Sequence, residues 1–189
     1  MTMEPLTALD LAAAHPLDDD IRAYFDKCTE KLGLIPNVLQ AYAFDQAKLR
    51  AFMAMYNDLM LAPSGLSKAE REMIAVAVSA ENRCVYCLTA HGAALRQLTG
   101  DPILAETIAQ NWRAARLDPR QRAMLAFAVK LTRHPQDMAE ADRAALRDAG
   151  FTDRDIWDIS AVAAFYNMSN RLASAVEMLP NPEYHGMAR

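Results

Sequence analysis

Cysteine is scarce in this chain, with three residues in 189. That excludes a disulfide-stapled secreted scaffold, which rests on several paired cysteines in a short sequence. Glycine is scarce too, with six residues, and no Gly/Ser-rich stretch marks a linker between domains. Long apolar runs are missing: the longest, such as 74–78 and 159–166, fall far short of the roughly 20 residues that span a bilayer. No basic region followed by an apolar stretch opens the chain, so a signal peptide is not expected and a cytoplasmic location is. Basic residues are not in excess, at 20 Lys and Arg against 24 Asp and Glu for a net charge of −4, and they form no run. Neither a nucleic-acid nor a membrane partner is expected. No segment alternates with a period of two, so no strand is expected either.

What is present is helical periodicity. With 52% hydrophobic residues, the length suits one domain, residues 1–189, of all-α class. Asp18–Asp20 open a segment with Ile21, Phe25, Cys28 and Leu32 at helical spacing, closed by Gly33. Pro36-Asn37 starts a segment predicted to run on to Met60, and Pro63-Ser64-Gly65 is a loop. Ser67 with Glu70 reads as a capping box for a helix to about Glu81. Further helices are predicted over Cys84–Leu98, from Asp101-Pro102 to about Arg116, from Asp118-Pro119, up to Gly150, and from Thr152 to about Met178.

A repeat is visible. Leu66-Ser67, Arg71, Met73, Ala75 and Ala77-Val78 align without gaps on Leu117-Asp118, Arg122, Met124, Ala126 and Ala128-Val129. The second copy has Ala123 in place of Glu72, and Pro135 and Met138 in place of two cysteines. This predicts a duplicated scaffold with chemistry in one copy: a redox repeat over about 66–100 and a degenerate one over about 117–178. Chance similarity of two amphipathic helices is the plainer explanation.

Two of the three cysteines form Cys84-Val85-Tyr86-Cys87, with His91 four residues on and Glu72 on the preceding helix. Thiols at i and i+3 of a helix can close a disulfide, and His91 at i+4 from Cys87 shares its face. Cys84 at a helix start sees unsatisfied N–H groups that favour a thiolate, the reactive form. His91 can move the proton, and Glu72 can orient His91 if the two meet. The pattern suits peroxide reduction: one thiolate is oxidised to a sulfenic acid, and the second thiol condenses with it.

These residues, with Asn82, Gly92 and the stretches Glu30–Gly33, Ile35–Val38, Ala62–Leu66, Asn111–Arg113, Ile156–Ile159 and Asn167–Arg171, resemble the AhpD-like alkylhydroperoxidases. These belong to the carboxymuconolactone decarboxylase superfamily, and the outer stretches look like its peroxidase-related subgroup. The resemblance covers nearly the whole chain. It implies an all-helical, internally duplicated, oligomeric fold, usually trimeric or hexameric. It also implies a hydroperoxide reductase with no metal or organic cofactor, only a redox-active Cys84–Cys87 disulfide. The implied roles are Cys87 as peroxidatic thiol, Cys84 as resolving thiol, His91 for proton transfer and Glu72 to orient it. The implied partners are an organic hydroperoxide and a lipoyl-bearing or thioredoxin-like dithiol reductant. One departure stands out: well-studied members carry histidine where this chain has Tyr86. A phenol is a poor base at neutral pH, so Tyr86 is a secondary site residue, expected to pack with its hydroxyl satisfied.

Other readings compete. Cys84, Cys87 and His91 supply three zinc ligands but no fourth. A redox sensor or thiol-disulfide adaptor needs the same dithiol, and the superfamily also holds lactone decarboxylases. Cys28 is expected in the core. Asn167, Asn170 and Arg171 are expected at a subunit interface. His15, His134 and His185 carry no signal. The Cys84→Ser/Cys87→Ser double variant is expected to lose hydroperoxide consumption completely; full activity in that variant would favour the lyase reading.

Overall fold

The computed structural model describes residues 6–189, so Met1–Pro5, part of the opening read above for a leader, lie outside it. The described residues contain nine α-helices and no strand: α1 Asp19–Leu32, α2 Asn37–Tyr42, α3 Gln46–Leu61, α4 Lys68–Glu81, α5 Val85–Thr99, α6 Pro102–Asn111, α7 Pro119–Arg133, α8 Glu140–Asp148 and α9 Asp153–Ala175. Short 3-10 turns follow at 112–114, 135–137 and 182–185. None of the helices is long and apolar enough to cross a membrane.

Start and stop signals act as the sequence predicts. Ser67 Oγ accepts from Glu70 N at 3.1 Å while Glu70 Oε2 accepts from Ser67 N at 2.7 Å, closing the capping box of α4. The same reciprocal device starts α7 at Asp118/Gln121 and α9 at Thr152/Asp155. Gly33, at φ 74°, ends α1 in the left-handed conformation that glycine adopts without strain.

Three boundaries differ from expectation, each through a polar side chain or a backbone reversal. The segment from Asn37 to Met60 is two helices, because Asp45 accepts from Ala47 N and Lys48 N and so caps a new one. The helix from Pro102 ends at Asn111, whose side chain accepts from Arg113 N and tightens the chain into a 3-10 turn. The last helix stops at Ala175, short of Met178, and Glu177 takes φ 52°.

Helix α4 is the axis of the molecule. It packs against α3, α5, α6, α7 and α9, and every residue from Glu70 to Ser79 is buried. A helix buried on all sides is normally apolar throughout, so the charged groups on α4 need internal partners. Arg71 meets this by donating to the carbonyls of Leu66 at 3.0 Å and Ala62 at 2.8 Å. Its repeat counterpart Arg122 donates to Arg113 O at 3.2 Å and Ala115 O at 3.3 Å, likewise tying a helix to the chain just before it.

The loop entering α4 docks on the start of α9. Ser64 Oγ donates to Asp158 Oδ2 at 2.7 Å. Gly65 lies so close to α9 that a Cβ there would stand 1.9 Å from Asp155 Oδ1. Asp155 cannot swing away freely, because its Oδ2 accepts from Thr152 N at 2.8 Å and Thr152 Oγ1 at 2.7 Å. Gly65→Ala is therefore expected to destabilise the fold by about 1–3 kcal/mol, through overpacking or loss of the α9 cap. Urea denaturation checks this; an unchanged midpoint would mean that the contact is slack.

Candidate active site

Cys84 is the N-cap residue of α5. A tight turn from α4 delivers it there, with Arg83 at φ 54°, a left-handed conformation that a non-glycine residue adopts at a cost. Cys87 lies one turn further along α5. Both are buried free thiols, exposed by 2% and 1%. Glu72 reaches across from α4, and its Oε2 lies 2.7 Å from His91 Nδ1. The carboxylate accepts this bond, so Nδ1 carries the proton and Nε2 is left with the lone pair. The four residues named from the spacing thus come from two packed helices, and the structure brings Glu72 and His91 into contact.

Electrostatics separate the two thiols. Cys84 is lowered to about 6, chiefly because the Cys87 thiol hydrogen-bonds it. The N–H groups of Cys87 and Tyr86 and the Ser174 hydroxyl add to this, against the opposing effect of burial. Cys87 is pushed far up, first by donating its proton to Cys84 and then by burial, while Asn170 and Ser169 hydrogen-bond it and pull the other way. In the resting dithiol the charge therefore sits on Cys84 and the shared proton on Cys87.

Helix α9 completes the site. Tyr166, fully buried, holds its hydroxyl 3.3 Å from His91 Nδ1, and its ring meets the imidazole edge-on with centroids 4.6 Å apart. Burial and the Glu72 charge raise its pKa well above the usual range, so it stays a neutral phenol. Asn170 has no exposed surface. Its Nδ2 donates to Ser79 Oγ at 2.9 Å, and its Oδ1 accepts from Asn82 Nδ2 at 3.0 Å. Asn82 Nδ2 also donates to Asn167 Oδ1 at 3.0 Å, and Arg171 donates to that same oxygen at 2.6 Å.

Of the three residues expected at a subunit interface, Asn170 is fully enclosed by its own chain, Asn167 is half-buried and Arg171 is exposed. They form one connected network, which ends at Cys87. The physical reason is that α9 crosses the α4–α5 turn, whose polar groups need buried partners. Tyr166, Ser169, Asn170 and Ser174 were not singled out for catalysis from sequence. The available signal was the polar pair Ser169-Asn170 interrupting a buried apolar stripe.

Tyr86 is buried, and its hydroxyl accepts from Val38 N at 2.9 Å, fastening α2 to the site. Cys28 packs against the main core, at its edge. It is half-buried and lines a cavity of about 510 Å³ that also touches Cys87, His91 and Tyr166. Burial raises its pKa, which keeps it a thiol. Among the described residues, no three His, Cys, Asp or Glu side chains gather as a metal-binding group, so Cys84, Cys87 and His91 do not converge as a zinc site. His15, His134 and His185 are exposed.

The carboxymuconolactone decarboxylase family model matches twice, over residues 46–110 and 102–179. The chain belongs to the carboxymuconolactone decarboxylase family. Its fold is that of the AhpD-like, peroxidase-related members. A crystal structure described as an uncharacterized peroxidase-related protein from Silicibacter sp. TM1040 is 60% identical, with 100% of this chain and 99% of that one covered and a TM-score of 0.96. One described as an alkylhydroperoxidase AhpD core, an uncharacterized peroxidase-related protein from Ralstonia eutropha JMP134, is 45% identical over 98% of each chain, at a TM-score of 0.94. The debrominase Bmp8, at 16% identity over 97% of this chain and 95% of its own and a TM-score of 0.77, shares the fold. No curated protein matches the sequence.

The thiol arrangement has a pH signature. Thiolate absorbance of the reduced protein is expected to rise with a midpoint near 6, well below the usual 9.0. In Cys87→Ala this midpoint should move up, because the largest stabilising contact of the Cys84 thiolate is gone. Linkage gives the sign for folding: a depressed Cys84 pKa stabilises the reduced fold above about 9, and that stability drains away as pH falls towards 6. A single midpoint near 9 in both proteins would overturn this charge distribution.

Proposed function

We propose that this protein is a thiol-dependent peroxidase, reducing organic hydroperoxides through a Cys84–Cys87 dithiol/disulfide cycle. The observation that carries the reading is the contact of His91 with Glu72 beside Cys87, His91 and Cys87 both facing the same cavity. Cys87 is the peroxidatic thiol because the cavity reaches it and Cys84 does not line that space. Membership of a family whose similar structures are described as peroxidase-related supports the same reading.

The cycle begins with the proton that Cys87 donates to Cys84. Its transfer to Cys84 leaves a Cys87 thiolate, held by the Ser169 and Asn170 hydrogen bonds. The Cys87 sulfur attacks the terminal peroxide oxygen, and the O–O bond breaks. The departing alkoxide takes that proton from Cys84 by way of His91 Nε2, and leaves as an alcohol. Cys87 is now a sulfenic acid. Cys84, a thiolate again, attacks the Cys87 sulfur, and the hydroxyl takes a proton from solvent and leaves as water. Two thiols are oxidised to one disulfide while the hydroperoxide is reduced to alcohol and water. The low pKa of Cys84 suits the resolving step, since the attacking group there is already a thiolate at neutral pH.

The departure at Tyr86 fits this scheme. Its hydroxyl is occupied by Val38 N, and Tyr166, not Tyr86, stands at His91. The relay consists of Glu72 and His91, with Tyr166 as a neutral neighbour that fixes the ring. Re-reduction falls to a lipoyl-bearing or thioredoxin-like dithiol protein, in a cytoplasmic homo-oligomer.

Stopped-flow mixing of the reduced protein with cumene hydroperoxide tests this. Rapid loss of two thiols per chain is expected, absent in Cys87→Ser and slowed by about 10²-fold or more in His91→Ala. Cys84→Ser should still react but stop at the sulfenic acid. Thiols inert to every hydroperoxide would sink the peroxidase; a mixed disulfide trapped with another protein by the same variants would then identify a redox adaptor.

A further inference from the structure

The cavity at Cys87 is larger than peroxide chemistry alone requires. Its volume of about 510 Å³ falls in the range of pockets that enclose drug-sized ligands, whereas a water-sized molecule occupies only about 30 Å³. Hydrogen peroxide, a two-oxygen molecule, would leave it almost empty. Its walls are apolar and aromatic, with Phe52, Met53, Tyr56 and Phe165 among them. The C-terminal turn closes one side through Tyr184 and Met187, whose carbonyls accept from Arg96 at 2.7 Å and 3.0 Å.

The charged residues of the lining are distributed unevenly. Apart from His91 they are Lys27, Lys31 and Lys68, and no Asp or Glu lines the cavity, in a chain with more acidic than basic residues overall. The chain has five lysines. Lys48 and Lys130 are paired with Asp45 and Asp142. Among the described residues the other three form no ion pair, and all three are at this cavity. Asp26 and Glu30 share α1 with Lys27 and Lys31, and Asp58 lies on α3, yet none of these carboxylates lines the space. The lysines are exposed while Cys87 is 1% exposed. The three lysines therefore lie on the solvent side of the cavity and the thiol in its depth.

We propose that the substrate is an amphipathic hydroperoxide that carries a carboxylate: its apolar body fills the cavity, its peroxide group meets Cys87, and its carboxylate rests on Lys27, Lys31 and Lys68. This rests on the peroxidase reading and adds the chemical class of the substrate. Three exposed lysines give a modest, salt-sensitive preference instead of a tight lock. They also steer an anionic ligand to a mouth on a protein of net negative charge.

The test has two arms. Calorimetric titration with decanoate and with decanol measures head-group recognition without peroxide chemistry. Stopped-flow oxidation by a carboxylate-bearing fatty hydroperoxide and by its methyl ester measures it in the reaction. The acid form is expected to win by about tenfold in both arms at low salt. The preference should shrink at high salt and disappear in Lys27→Gln/Lys31→Gln/Lys68→Gln, whose exposed positions tolerate the change. Equal binding of decanoate and decanol, or a preference that survives the triple substitution, overturns the proposal. Thiols inert to both hydroperoxides with the decanoate preference intact would defeat the peroxidase reading and leave the carboxylate site standing.

Discussion

The site depends on a carboxylate buried in the middle of the fold. Glu72 sits on a helix with neighbours on five sides, where an isolated charge would be untenable. Its bond to His91 resolves that cost and at the same time sets the imidazole tautomer. The same burial places the carboxylate charge near Tyr166 and keeps that phenol neutral. At the position that aligns with Glu72 in the sequence stands Ala123, half-buried on α7 and with no charge to satisfy.

The cysteine pair is arranged by the start of α5 and by α9 together. The N-cap position gives Cys84 two backbone N–H groups and the proton of its neighbour. Cys87, one turn in, has no such termini and leans on Ser169 and Asn170. The helix end therefore divides the two thiols into a charged one and a protonated one. The charged thiol does not line the cavity, and the protonated one does. A thiol that stays protonated until its partner takes the proton is shielded from adventitious oxidation.

Most of the architecture was legible in the chain. Capping boxes at Ser67, Asp118 and Thr152 mark helix starts because they satisfy donors that every helix start leaves open. Boundaries failed where one polar side chain acted: Asp45 began a helix inside an apolar run, and Asn111 ended one early. Periodicity over a window does not register a single cap. Cys28 continues an apolar stripe and packs against the core, and that stripe runs out at the edge of a cavity, which the sequence does not show.

By itself the sequence determined the helical class, most of the helix starts and the local cluster of Cys84, Cys87 and His91, because these depend on spacings of a few residues along one helix. Tertiary structure decided which groups meet them. Glu72 reaches His91 only because α4 and α5 pack side by side. Tyr166, Ser169 and Asn170 arrive from α9, roughly eighty residues away, and the three lysines reach the one cavity from α1 and α4. Contacts of that range leave no periodic trace in a single chain. They follow from how whole helices pack, which no short window of sequence contains.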